Sequence, residues 1–201
     1  MKKNKFTLLA AVAAVALSVS VAACTSAPPM TLTQPDLTFA QMQEIPLAVA
    51  KIEIFDEYKS PMGGNNIEHE FATPPAVAAK NLIQSKLKPA GDRQILRVFI
   101  DDASVRGEKL PVRTDFQGFF TREVSERFVA RVALRFELVN EDAPDIVIGR
   151  ANVSSDRTSS LVENASLADR DVVYTALTEA LMRDLYEGFS TTVRGNFGMP
   201  R

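Results

Sequence analysis

The chain reads as an α+β protein: a mainly antiparallel sheet of about four strands with two helices packed on one face, in the order β-α-β-β-β-α. Three observations lead there. Residues 126–139 (ERFVARVALRFELV) alternate without a break, with Phe128, Ala130, Val132, Leu134, Phe136 and Leu138 on one side and Arg127, Arg131, Arg135 and Glu137 on the other. A period of two sustained over a dozen residues belongs to a strand with one wet face, as antiparallel sheets have. Two other segments carry one-sided apolar stripes at helical spacing, bracketed by start and stop signals. Helices that are apolar on one side only must bury that side on something, and the sheet is the partner available.

The elements follow in order. Residues 47–55 (LAVAKIEIF) form a first strand, its end alternating Ile52 and Ile54 against Lys51 and Glu53. A turn-rich stretch with Pro61, Gly63, Gly64, Asn65 and Asn66 comes next. Thr73-Pro74-Pro75 opens a helix, since Thr can cap and Pro is tolerated in a first turn. Its stripe is Ala76, Ala79, Ile83 and Leu87, and Pro89 and Gly91 end it. Residues 94–100 (QILRVFI) are a second strand, partly covered on both sides. Residues 126–139 are the third. Glu141-Asp142-Ala143-Pro144 makes the turn, and residues 145–154 return as the fourth. Ser166-Leu167-Ala168-Asp169 is a capping box with aspartate in place of glutamate. It opens a helix to about Phe189 whose buried face is marked by Leu167, Tyr174, Leu177, Leu181 and Leu185. Residues 190–201 read as a frayed tail.

The N-terminus is a different kind of segment. It begins MKKNK and continues as an uninterrupted run of apolar and small residues over 6–23, a positive region followed by a hydrophobic one, as in a secretory signal. The run closes on Val21-Ala22-Ala23-Cys24, which resembles the bacterial lipobox. That resemblance implies cleavage before Cys24, diacylglycerol on its thiol and an acyl group on the new amine. No other cofactor is expected. Several acyl chains anchor stably, at about 0.8 kcal/mol per buried methylene. Cys24 is the chain's single cysteine, so no internal disulfide forms. Thr25, where the best-known sorting rule has aspartate for inner-membrane retention, points to the outer membrane, facing the periplasm. Residues 24–46, with Pro28, Pro29, Pro35 and Pro46, read as a lipidated N-terminus and Pro-rich tether. Part of it, residues 37–42, could instead dock on the domain. A single domain over 47–189 then stands off the membrane.

Composition narrows the partners. Losing Lys2, Lys3 and Lys5 with the signal turns 23 basic and 25 acidic residues into 20 and 25, a net charge of −5. A mildly acidic protein has no electrostatic reason to seek nucleic acid. Chemistry is sparse. His69 is the lone histidine, flanked by Glu68 and Glu70, with no second His or usable Cys to complete a zinc set. Asp101-Asp102 close a strand, where paired carboxylates can do acid–base work but more often bond nearby amides. No nucleophile elbow, phosphate loop or His-Glu-x-x-His motif is present. The expectation is a protein that is not an enzyme.

Two features could mark a contact surface. Phe116, Phe119 and Phe120 surround Gly118 in the connection between the second and third strands, placed either to meet a partner or lipid or to close the open end of the core. Arg127, Arg131 and Arg135 share a strand face, a row suited to an acidic partner or, equally, to neighbouring acids of its own sheet. Through residues 74–87 and 169–185, and through its succession of anchor, tether and one helix-on-sheet domain, the chain is similar to auxiliary lipoproteins of ABC-type lipid transporters and, more distantly, to lipopolysaccharide-assembly lipoproteins. The resemblance implies a non-enzymatic, membrane-anchored protein that binds an envelope protein or lipid. The alternative is a structural lipoprotein that contacts cell wall or an outer-membrane protein.

Overall fold

The computed structural model describes residues 37–111 and 123–197. Strands β1 (Ile45–Leu47) and β2 (Lys51–Asp56) precede a one-turn helix at Glu68–Glu70 and helix α1 (Pro75–Lys86). Strands β3 (Leu87–Pro89), β4 (Gln94–Asp102), β5 (Val105–Lys109), β6 (Val124–Asn140) and β7 (Ala143–Val162) follow, and helix α2 (Leu167–Phe197) ends the described chain. The class is α+β, as the residue pattern requires.

β6 is the axis of the sheet. β7 pairs with it antiparallel along its whole length, from Val124↔Val162 to Asn140↔Ala143. The other edge is shared end to end: β4 covers residues 133–140 and β5 covers 126–130. Between them the ladder skips at Ile100/Asp102, and Arg131 N–H donates to Ser104 O at 2.9 Å across the gap. β5 is absent from the sequence reading because Val105-Arg106-Gly107-Glu108-Lys109 has neither alternation nor an apolar run. Its pairing is imposed by β6. At Gly107 a Cβ would lie 3.2 Å from the tip of the Ile67 side chain, a tight fit.

One pairing in the mainly antiparallel sheet is parallel. β2 lies parallel to β4, in unbroken register from Lys51↔Ile95 to Asp56↔Ile100. Parallel neighbours need a crossover, and α1 supplies it between them. β1 and β3 form a second, two-stranded parallel sheet.

Both helices pack on the face carrying the even residues of β6. Phe128, Ala130, Val132, Leu134 and Phe136 are at most 1 % exposed and join Leu96, Val98 and Ile100 of β4 in the core. α1 contributes Ala78, Ala79, Leu82 and Ile83. Its first turn is held by Pro74 and Pro75 with no side-chain cap, so Thr73 does not play the expected role. The capping box at the start of α2 does form: Asp169 N–H donates to Ser166 Oγ at 3.2 Å, and Ser166 N–H to Asp169 Oδ2 at 2.9 Å. Leu167, expected on the buried face, is 81 % exposed. It sits in the first turn, before the helix reaches the sheet. The helix also runs beyond Phe189 to Phe197, through residues read as a frayed tail. Phe189, Val193 and Phe197 recur every four residues and are all buried, which offsets the cost of Gly188 and Gly195. Each such side chain contributes about 1.5–3 kcal/mol by leaving water. Upstream, Leu37, Phe39 and Met42 pack on the core, and Lys86 Nζ and Tyr186 Oη donate to Met42 O and Gln43 O at 2.8 and 3.0 Å. The docked alternative for residues 37–42 is the one the structure adopts.

Gly91 and Gly195 should respond in opposite ways to the same methyl group. At Gly91 a Cβ would fall 2.4 Å from Ala48 C and 2.7 Å from Val49 N, both backbone. Gly91→Ala is expected to lose about 1–3 kcal/mol. Around Gly195 a Cβ meets nothing within 4 Å, so Gly195→Ala is expected to gain about 0.5–1 kcal/mol of helix stability. Thermal melts of the two variants beside the parent read both signs.

Candidate functional site

The sheet face away from the helices is a lattice of ion pairs built on the odd residues of β6. Arg131 holds both oxygens of Asp156 on β7, at 2.8 and 3.0 Å, and lies 3.4 Å from Asp102. Arg135 grips Asp101 of β4 through Nε and Nη2 at 3.1 and 3.0 Å, and reaches Glu57 and Glu137 at 2.9 Å each. Arg127 is looser, 3.8 Å from Glu108. Arg150 of β7 adds a second cation to Glu137 at 2.8 Å. The Asp101 hydrogen bonds raise the Arg135 pKa above its ordinary value. Burial opposes the Glu137 charge, but bonds from Arg135 and Arg150 outweigh it and hold that carboxyl below its usual range. Beneath Arg135, whose Cζ is 4.1 Å from the Phe99 ring centre, Phe99 stacks on Phe55 at 4.9 Å. The row of arginines is thus neutralised within its own sheet. Each exposed pair is worth about 0–1 kcal/mol, so the lattice sets cross-strand register more than it adds stability.

A second cluster sits where the glycine-rich loop returns to the sheet. Glu68 is 4 % exposed and accepts from Tyr58 Oη at 2.6 Å, Ser60 Oγ at 3.0 Å and Val105 N–H at 2.9 Å. Ile67 N–H donates to Val105 O and Gly107 N–H to Asn65 O, so the loop adds a short rung to the outer edge of β5. Burial disfavours the Glu68 charge, yet the three donors together pull its pKa below the ordinary value. Tyr58 is pushed far up by burial and by the adjacent carboxylate. His69 is exposed beside this cluster, on the rim of a cavity of about 250 Å³. The nearby Tyr174 ring stacks on Phe71 at 4.1 Å and donates to Glu70 at 2.8 Å, while Arg170 binds Glu126 at 2.5 and 2.8 Å. These contacts tie α2 to the loop and to the start of β6.

The third feature is an open groove of about 500 Å³ beside β2. Its lining includes Ile52, Ile54, Ile83 and Leu87 together with Lys51, Lys80 and Gln84. β2 ends the order of the main sheet, hydrogen-bonded to β4 on one side.

The candidate residues therefore divide. Arg131 and Arg135 come together with Asp102 and Asp101 on one face, and Arg127 stands on the same face beside Glu108. His69 lies apart from them. Cys24, Phe116, Phe119 and Phe120 fall outside the described residues. Among the described residues, no group of three or more metal-ligating side chains gathers, and no helix is long and apolar enough to cross a membrane. The sequence reading missed Tyr58, Ser60 and Glu68, and the groove. Glu68 was visible only as a neighbour of His69, and nothing in a lone acidic residue announces burial.

No family model matches the chain, and no curated protein does. Comparison with solved structures returns weak similarities. A minor lipoprotein from Acinetobacter baumannii aligns at 10% identity and a TM-score of 0.38, over 73% of this chain and 96% of that one. The rare lipoprotein B from Shewanella oneidensis aligns at 10% and 0.39, over 72% and 97%. Lipoprotein B from Nitrosomonas europaea aligns at 12% and 0.36, over 79% and 96%.

Glu68 gives a pH test with a definite sign. A carboxyl whose folded pKa is depressed contributes stability above its unfolded value, about 4.3, and loses it as the pH falls through the folded value. Glu68→Ala, which strands two hydroxyls and an amide, is expected to cost about 1–3 kcal/mol near neutral pH. The gap between parent and variant should narrow on acidification below about pH 4. Melts across that range check it, and a gap independent of pH would contradict the assignment.

Proposed function

We propose that the chain is a bacterial envelope lipoprotein, anchored through lipid on Cys24 and most at home on the periplasmic side of the outer membrane. It acts without catalysis, binding protein or lipid as an accessory to envelope lipid transport or outer-membrane assembly. The observation that carries this reading is the apolar run of residues 6–23 closing on Val21-Ala22-Ala23-Cys24, ahead of a single helix-on-sheet domain. Two structural features support a binding role. The acidic pair that invited a catalytic reading, Asp101 and Asp102, is engaged with Arg135 and Arg131. The groove beside β2 is open to solvent and has a mixed lining, with Ile52 and Ile54 beside Lys51, Lys80 and Gln84, the arrangement of a surface that receives a partner.

The test has two parts. The parent, expressed in a bacterium fed labelled palmitate, is expected to take up label and fractionate with outer membrane, while Cys24→Ala accumulates as unlabelled full-length precursor. Normal cleavage of that variant would overturn the anchor. Gentle detergent purification with mass spectrometry then reads the role. A stoichiometric transporter subunit or one enriched lipid class is expected; porins or wall fragments alone would transfer the protein to a structural role.

A further inference from the structure

Sheet edges are where a β protein is open to another chain, because each carries a row of unused N–H and C=O groups. The main sheet has three: β7, β2 and the outer side of β5, where the loop at residues 65–67 adds a short rung. β7 bulges where it leaves the turn, at Leu138/Val139 and Val139/Asn140, and then runs in unbroken register from Gly149 to Leu161. β2 differs in having an open groove beside it. Its ladder to β4 runs six residues without a shift, so the backbone on its far side keeps a regular strand repeat. Among the described strands none pairs with that far side. β1 and β3 pair with each other just before β2 begins, and the chain turns out of that small sheet at residues 48–50.

The groove runs beside this free edge. A strand laid along β2 would turn every second side chain toward the half-buried Ile52 and Ile54. Its backbone would meet the outward N–H and C=O groups of β2, which an acyl chain has no means to satisfy. The charges at the groove select further. Both charged residues that line it are lysines, Lys51 and Lys80, on a protein whose residues 24–201 carry a net charge of −5. Lys80 forms no ion pair among the described residues. Lys51 pairs with Glu53 at 2.8 Å with its side chain 65 % exposed, a contact that an incoming carboxylate can exchange for at little cost.

We propose that β2 and its groove are a docking site for an extended acidic segment of a partner protein, added as an extra strand with apolar residues facing the groove on the Lys80 side and carboxylates on the opposite face meeting Lys51. Main-chain bonds supply affinity in this mode, and the pocket and charges supply choice. The inference rests on the binding role proposed above and names its partner class.

The test uses the full-length chain in mild detergent and a labelled decapeptide alternating valine and glutamate. Three comparison probes are needed: the same peptide with lysine for glutamate, the acidic peptide N-methylated at alternate residues, and dihexanoyl phosphatidylglycerol. The acidic peptide is expected to bind about tenfold more tightly than the lysine peptide, to raise amide protection at residues 51–56, and to lose binding on N-methylation. A Lys51→Glu/Lys80→Glu double variant, shown by its melt to be folded, should reverse the preference. Equal binding of both peptides overturns the proposal, as does binding that survives N-methylation. So does lipid that displaces the peptide and binds without protecting residues 51–56, which would make the groove a lipid site. A stoichiometric partner in the copurification alongside a failed peptide test would discard the groove and leave the binding role standing.

Discussion

Everything in this domain is arranged around the burial of alternate residues on β6. A strand buries every second side chain, so the six apolar residues from Phe128 to Leu138 commit one face to the core along the strand's length. A slip of one residue would drive Arg127, Arg131 and Arg135 into that core, which is why the register cannot drift. With β6 fixed, its edges need partners over seventeen residues. β7 is long enough to supply one edge alone. The other is assembled from two shorter strands that meet at the break near Ala103, a residue 1 % exposed. The helices follow as a consequence, since one apolar sheet face must be covered and α1 and α2 each offer one stripe.

The wet face is organised by the same strand. Its arginines do not stand free in solvent: they clasp carboxylates from β4, β5 and β7, and those pairs span two strands and reinforce the pairing that the core dictates. Arg135 goes furthest, with three acids around it and the Phe99 ring below. A surface whose charges are satisfied this closely offers little field to a distant partner. The contrast is β2, where a regular edge, a groove of mixed lining and two lysines occur together. Binding sites on otherwise finished folds tend to lie where the packing rules leave something unfinished.

The loop between β2 and α1 shows a different economy. Residues 57–70 contain glycines and polar side chains that bury little on their own. Glu68 holds them in place by accepting three hydrogen bonds, one from the first amide of β5. A buried carboxylate costs desolvation, and only the convergence of its donors makes the charged form stable there.

What the sequence determined by itself is what local periodicity and end signals encode. The strand at 126–139, its turn and return, the helix between the first two strands, the Ser166–Asp169 capping box and the α+β class are all legible, because each depends on neighbours a few residues away. The resemblance of residues 6–24 to a lipoprotein leader rests on the same kind of local pattern. Tertiary structure decided the rest. β5 exists because β6 offers an unpaired edge, and β2 is parallel because α1 carries the chain back across the sheet. α2 continues through Gly188 to Phe197 because Phe189, Val193 and Phe197 find the core. Whether Arg135 is a free binding cation or a clasped one, and whether Glu68 is exposed or buried, turns on residues as many as 78 positions away in the chain. No period in a linear sequence encodes contacts of that range, since they arise only when distant segments are packed against one core.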